Sequence, residues 1–94
     1  MRVILSVLLC SLPAFAEDPL ERASDAFVKG QYQKAIDLAR PLVPTQPLQA
    51  WRLVGASSCF LKDKPSAKEA FSKLDDQGKA FLKYVCTRNG ISLP

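Results

Sequence analysis

The side chains able to do chemistry in this 94-residue sequence are few, and their spacing limits what they can do. There is no histidine, so Ser-His-Asp triads, Cys-His dyads and nearly all zinc or iron sites are excluded. The cysteines are Cys10, Cys59 and Cys86. No C-x-x-C pair exists among them, which argues against thioredoxin-like exchange. Cys59 and Cys86 alone cannot make a structural zinc site. Adjacent carboxylates occur as Glu17-Asp18 and Asp75-Asp76. Both pairs stand where a helix begins, and capping explains them without acid–base catalysis. The glycines are isolated, so no glycine-rich phosphate loop exists. The chain is read as no enzyme, with no metal and no cofactor.

Met1–Ala16 reads as a signal peptide. Arg2 is a short positive region, and Val3–Leu12 is an apolar run broken only by Ser6, Cys10 and Ser11. Pro13 and the small residues of Ala14-Phe15-Ala16 then predict cleavage between Ala16 and Glu17. The alternative, an uncleaved anchor, falls short of the roughly 20 residues a membrane span needs. A lipoprotein anchor on Cys10 is disfavoured by the bulky Leu9 before it. The expected mature protein is exported, periplasmic or extracellular, a single small domain over residues 17–94 with no stable membrane span. Two cysteines in an oxidising compartment predict a Cys59–Cys86 disulfide, contributing about 3–4 kcal/mol in the chain-entropy model. Two buried free thiols are the alternative.

The formal net charge is +4. Glu17, Asp18, Glu21, Asp25 and Asp37 slightly outweigh Arg22, Lys29, Lys34 and Arg40 early in the chain. From Arg52 onward Lys62, Lys64, Lys68, Lys73, Lys79, Lys83 and Arg88 outnumber Asp63, Glu69, Asp75 and Asp76. This favours an acidic partner, the alternative being an ordinary solvated helical surface. The lysines are spread singly and no stacking aromatics accompany them, so nucleic acid is not an expected partner.

Helices must hold these groups, because apolar residues recur at three- and four-residue steps. Asp18-Pro19-Leu20-Glu21 reads as a helix start, with Asp18 capping, Pro19 in the first turn and Glu21 closing a capping box. Leu20, Ala23, Ala26 and Phe27 form its buried stripe, and Gly30 ends it. A second helix carries Tyr32, Ala35, Ile36, Ala39 and Val43, with Pro41 bending or stopping it near Asp37–Arg40. Trp51, Val54, Gly55 and Ser58 mark one face of a third, interrupted by Lys62-Asp63-Lys64-Pro65. Ala67, Ala70, Phe71 and Leu74 mark the inner face of a fourth. Asp75-Asp76 caps a fifth, whose expected stripe is Ala80, Phe81, Val85 and Cys86 and whose stop is Asn89-Gly90.

Trp51-x2-Val54-Gly55-x2-Ser58 followed by Ala67-x3-Phe71 resembles the tetratricopeptide repeat (TPR), W-x2-L-G-x2-Y, then A-x3-F, then P. Ser58 replaces the aromatic, and Lys79 stands where the closing proline would fall. Gly30-x-Tyr32-x2-Ala35 and Pro47 resemble the middle and end of a preceding repeat, in which Pro19, Ala23 and Ala39 replace the aromatic, the glycine and a second aromatic. The chain is similar in kind to small secreted bacterial proteins of TPR type. The resemblance implies an all-α fold: two TPR-like helical hairpins, an α-α superhelix fragment, plus a C-terminal capping helix. Repeat one covers about 17–47, repeat two about 48–76 and the capping helix about 77–89. It also places Cys86 at the repeat position of Cys59, where neighbouring first helices bring equivalent residues together.

In that family the first helix of each repeat lines a groove that receives a peptide or a partner's helix. The resemblance therefore implies groove positions at Leu20, Ser24 and Phe27, at Gln49, Arg52, Ala56 and Phe60, and at Lys79 and Lys83. The expectation is a protein–protein interaction module of the cell envelope that holds an acidic or carboxylate-bearing segment. Arg52, Lys79 and Lys83 would take the charge, and Phe27 and Phe60 the apolar part. Alternatives are an assembly subunit that self-associates or docks on a larger envelope complex, and a basic peripheral protein on anionic lipid.

Overall fold

The computed structural model describes residues 18–94. The expected leader, its cleavage point between Ala16 and Glu17, and Cys10 lie outside the described residues. Among the described residues the chain is all-α, with no strand. Its helices are α1 Pro19–Val28, α2 Tyr32–Ala39, α3 Pro47–Phe60, α4 Lys64–Ser72 and α5 Asp76–Arg88, with a 3-10 turn at Arg40–Leu42. Pro41 acts as expected, since α2 gives way to that turn after Ala39. None of these helices is long and apolar enough to cross a membrane.

Each helix packs on the next in the chain, and α3 also touches both α1 and α5. The odd-numbered helices thus form one layer, and α2 and α4 lie behind it. The ends of that layer are built alike. After α1, Gln31 donates to the Ala26 carbonyl at 2.8 Å and Gly30 to Phe27 at 3.0 Å. After α3, Asp63 donates to Ser58 at 2.9 Å and Lys62 to Cys59 at 3.1 Å. After α5, Ile91 donates to Cys86 at 2.8 Å and Gly90 to Thr87 at 3.0 Å. These paired bonds satisfy the last carbonyls of each helix and need a left-handed residue. Gly30 and Gly90 supply it at φ 79°, and Lys62 at φ 62° without glycine's freedom. The Lys62 ammonium donates to the Asn89 carbonyl, linking the α3 cap to the α5 cap.

The core is thin because small residues make most of it. Ala23, Ala26, Ala35, Ala39, Ala50, Ala56, Ala67 and Ala70 are all buried, around Ile36, Trp51, Val54, Leu74 and Leu82. Gly55 marks the closest approach, since a β-carbon there would stand 2.7 and 2.8 Å from the two δ-carbons of Leu82. The α5 stripe differs from expectation. Gly78, Leu82 and Cys86 are buried, while Ala80 and Phe81 are exposed and Val85 is half-buried. The reason is this contact: Leu82 fills the space over Gly55, which turns the Phe81 flank outward.

One N-terminal expectation also fails. Asp18 occupies the cap position of α1 but its side chain accepts no capping bond, because this exposed first turn leaves its donors to water. Asp75 does cap, accepting from the Gly78 amide at 2.8 Å, and Asp63 accepts from Ser66 at 3.3 Å. Asp75→Ala is therefore expected to cost about 1 kcal/mol and Asp18→Ala only a few tenths. Equal losses in urea denaturation would contradict the assignment.

Candidate functional site

Because the odd helices run in the same direction, their C-terminal ends share one end of the layer. Phe27 is in the last turn of α1 and Phe60 closes α3. Their rings meet edge to face, with centroids 5.7 Å apart at 70°. Tyr32, at the start of α2, stacks on Phe60 at 4.6 Å and 6°, and meets Phe27 edge-on at 5.6 Å. Such pairs stabilise by roughly 0.5–1.5 kcal/mol beyond burial, so one wall of the site is fixed.

The disulfide sets the facing wall. Cys59 and Cys86 are bonded, both fully buried, with Cα atoms 4.8 Å apart. Each has a wall residue beside it, Phe60 after Cys59 and Val85 before Cys86. Between the walls lies a cleft of about 370 Å³, lined by Phe27, Phe60, Phe81, Tyr84, Val85, Arg88 and Asn89. Phe60, Phe81 and Tyr84 are 38%, 42% and 63% exposed. These rings hold water-facing apolar surface that the thin core leaves uncovered.

The polar end of the cleft is Arg88 with Asn89. Arg88 Nη1 donates to the Tyr84 hydroxyl at 3.4 Å, and its guanidinium lies 5.5 Å from the ring centroid. Asn89 Nδ2 donates to the Val85 carbonyl at 2.8 Å. The lining thus offers apolar contact, one guanidinium fork, a phenol and an amide, which suits holding a ligand by shape and one ionic contact.

Of the residues expected to line a groove, Phe27 and Phe60 come together here. The others do not reach the cleft. Leu20 is half-buried in the first turn of α1, with Ser24 also half-buried and Ala56 buried. Gln49 is exposed in the first turn of α3. Arg52 Nη2 lies 3.9 Å from Asp75 Oδ1, so its charge has a partner. Lys79 turns toward α4, its ammonium 5.6 Å from the Phe71 ring centroid. Lys83 is exposed on α5 outside the lining. Leu20, Gln49, Arg52 and Lys79 sit in the first half of their helices, whereas the cleft lies toward the C-terminal ends. Equating the caps at Lys62 and Gly90 aligns Cys86 with Ser58 rather than Cys59, one residue away from the expected superposition.

Sequence reasoning missed Phe81, Tyr84, Val85, Arg88 and Asn89 as a site. The available signal was Phe81, Tyr84 and Arg88 at three- and four-residue steps, one face of α5 beside the buried Gly78, Leu82 and Cys86. No protein-family model, no curated protein and no solved structure matches the chain.

Proposed function

We propose that this chain is an exported, non-enzymatic protein–protein interaction module of the cell envelope, TPR-like in kind. It takes a segment of a partner protein in the cleft between α1, α3 and α5. The observation that supports this reading is the convergence of part-exposed aromatic rings from three helices on one cleft. Burying exposed apolar surface is favourable by about 25 cal/mol per Å², which is what a partner segment seated in the cleft would gain. The leader pattern of Met1–Ala16 and the disulfide agree with export.

The test selects binders from a random peptide display library on the disulfide-intact protein and measures their affinity for Phe81→Ser. Phe81 is on the outer wall and lies outside the core, so the variant keeps its fold. The expected result is binding weakened tenfold or more with an unchanged helical dichroism spectrum. Selected peptides that bind wild type and Phe81→Ser equally would refute the cleft.

A second reading is an assembly subunit that self-associates, favoured by Val28 and Leu61, which are 81% and 41% exposed. In that case sedimentation shows a concentration-dependent dimer of the free protein.

A further inference from the structure

Among the described residues Arg88 has no carboxylate beside it, as Arg22 has none, whereas two other arginines do. Arg40 Nη2 pairs with Glu69 at 3.2 Å and Arg52 Nη2 with Asp75 at 3.9 Å. Among the described residues Arg88 is also the one ionised side chain in the cleft lining. Its phenol contact uses a single N–H of five, and its guanidinium carbon lies over the Tyr84 ring at 5.5 Å from the centroid. Lys62 reaches the same end of the molecule through its bond to Asn89.

We infer that Arg88 selects the partner: the cleft takes an apolar anchor side chain followed, within one helical turn, by a side-chain carboxylate that docks on the Arg88 guanidinium. This rests on the cleft being the binding site. Two observations carry it to carboxylates. A guanidinium fork beside an apolar floor is matched by a planar anion, which it binds through two parallel N–H bonds. The excess of cations from Arg52 onward attracts acidic segments over longer range. A third disfavours dianionic groups such as phosphate. The C-terminal ends of α1, α3 and α5 gather here, and their dipoles present partial negative charge. A singly charged carboxylate meets less of that opposition.

The residue acts on specificity, so the test compares ligands as well as variants. Peptides are selected from a random display library on the disulfide-intact protein, and the strongest binder is synthesised with its carboxylates intact or replaced by amides. The expected selection is enriched in aspartate or glutamate within a turn of an aromatic or aliphatic anchor. Amide replacement should weaken binding to wild type about tenfold and leave binding to Arg88→Gln unchanged. Arg88→Lys should keep only part of the discrimination, because it lacks the fork.

Three outcomes overturn the inference. If selected peptides have anchors without acidic residues, the cleft stands and Arg88 selects nothing. If amide replacement costs the same in Arg88→Gln, the charge is read elsewhere, with Lys83 as the next cation on α5. If nothing is selected, or binders ignore Phe81→Ser, the cleft itself falls and the inference with it.

Discussion

Reduction of the Cys59–Cys86 bond, or its replacement by Cys59→Ala with Cys86→Ala, should lower the thermal midpoint by roughly 15–25 °C. The bond closes a sequence separation of 27, for which the chain-entropy model gives about 3.5 kcal/mol. A domain of this size has a total stability of only about 4–12 kcal/mol. Its core is largely alanine, each of which buries little apolar area, so this chain lacks the reserve to absorb such a loss. The effect should also be localised. Without the bond, α5 is held by Leu82 over Gly55, by Ile91, by the Lys62–Asn89 hydrogen bond and by a half-exposed Arg52–Asp75 pair. Amide exchange should therefore accelerate first in α5 and last in α2 and α3. Because α5 supplies Phe81, Tyr84, Val85 and Arg88, peptide binding should disappear before the hairpins unfold. A midpoint unmoved by reductant, or both thiols alkylated in the exported protein, would return the chain to the free-thiol alternative.

The helices were legible because their punctuation is chemical. Gly30 and Gly90 end α1 and α5 at positions that require a left-handed backbone. Pro41 and Pro65 mark breaks that no other residue would announce as clearly. The α3 cap was harder to see, since Lys62 does there what glycine does in the other two. The face of α5 was misread for a related reason. Its buried stripe runs Gly78, Leu82, Cys86, and a glycine contributes no apolar side chain to a periodicity. Phe81 and Val85 give a stronger hydrophobic signal on the adjacent flank, yet they belong to the cleft. An aromatic that stays part-exposed has the same spacing as one that is buried, so sequence periodicity cannot separate floor from core. Charge placement failed one step later. Arg52 and Lys83 both read as free cations, and only the fold shows Asp75 beside the first.

The Gly55–Leu82 contact offers the sharpest check on the α3–α5 packing. Leu82 is fully buried, and Leu82→Ala should cost about 3–4 kcal/mol, the lost transfer energy plus a cavity that the helices only partly close. Gly55→Ala carries two opposed effects. Alanine favours the helix by about 1 kcal/mol, but its β-carbon would lie 2.7 Å from Leu82 Cδ2, 2.8 Å from Cδ1 and 3.1 Å from Ala70 Cβ. Leu82 has no exposed side to swing toward, so overpacking of about 1–3 kcal/mol prevails and the single variant is destabilised by roughly 1 kcal/mol. In the double variant the two δ-carbons are gone. Of the three nearest atoms only Ala70 Cβ then remains, at 3.1 Å, a contact α4 can relax by a few tenths of an ångström. The helix preference is recovered and part of the cavity is filled. Gly55→Ala should therefore be neutral or stabilising on the Leu82→Ala background, a coupling of about 1–2 kcal/mol in the double-mutant cycle. Strict additivity of the two losses in urea denaturation would mean that α5 does not sit this close to α3. The wall carrying Phe81 and Arg88 would then be misplaced, because the same contact turns that flank toward the cleft.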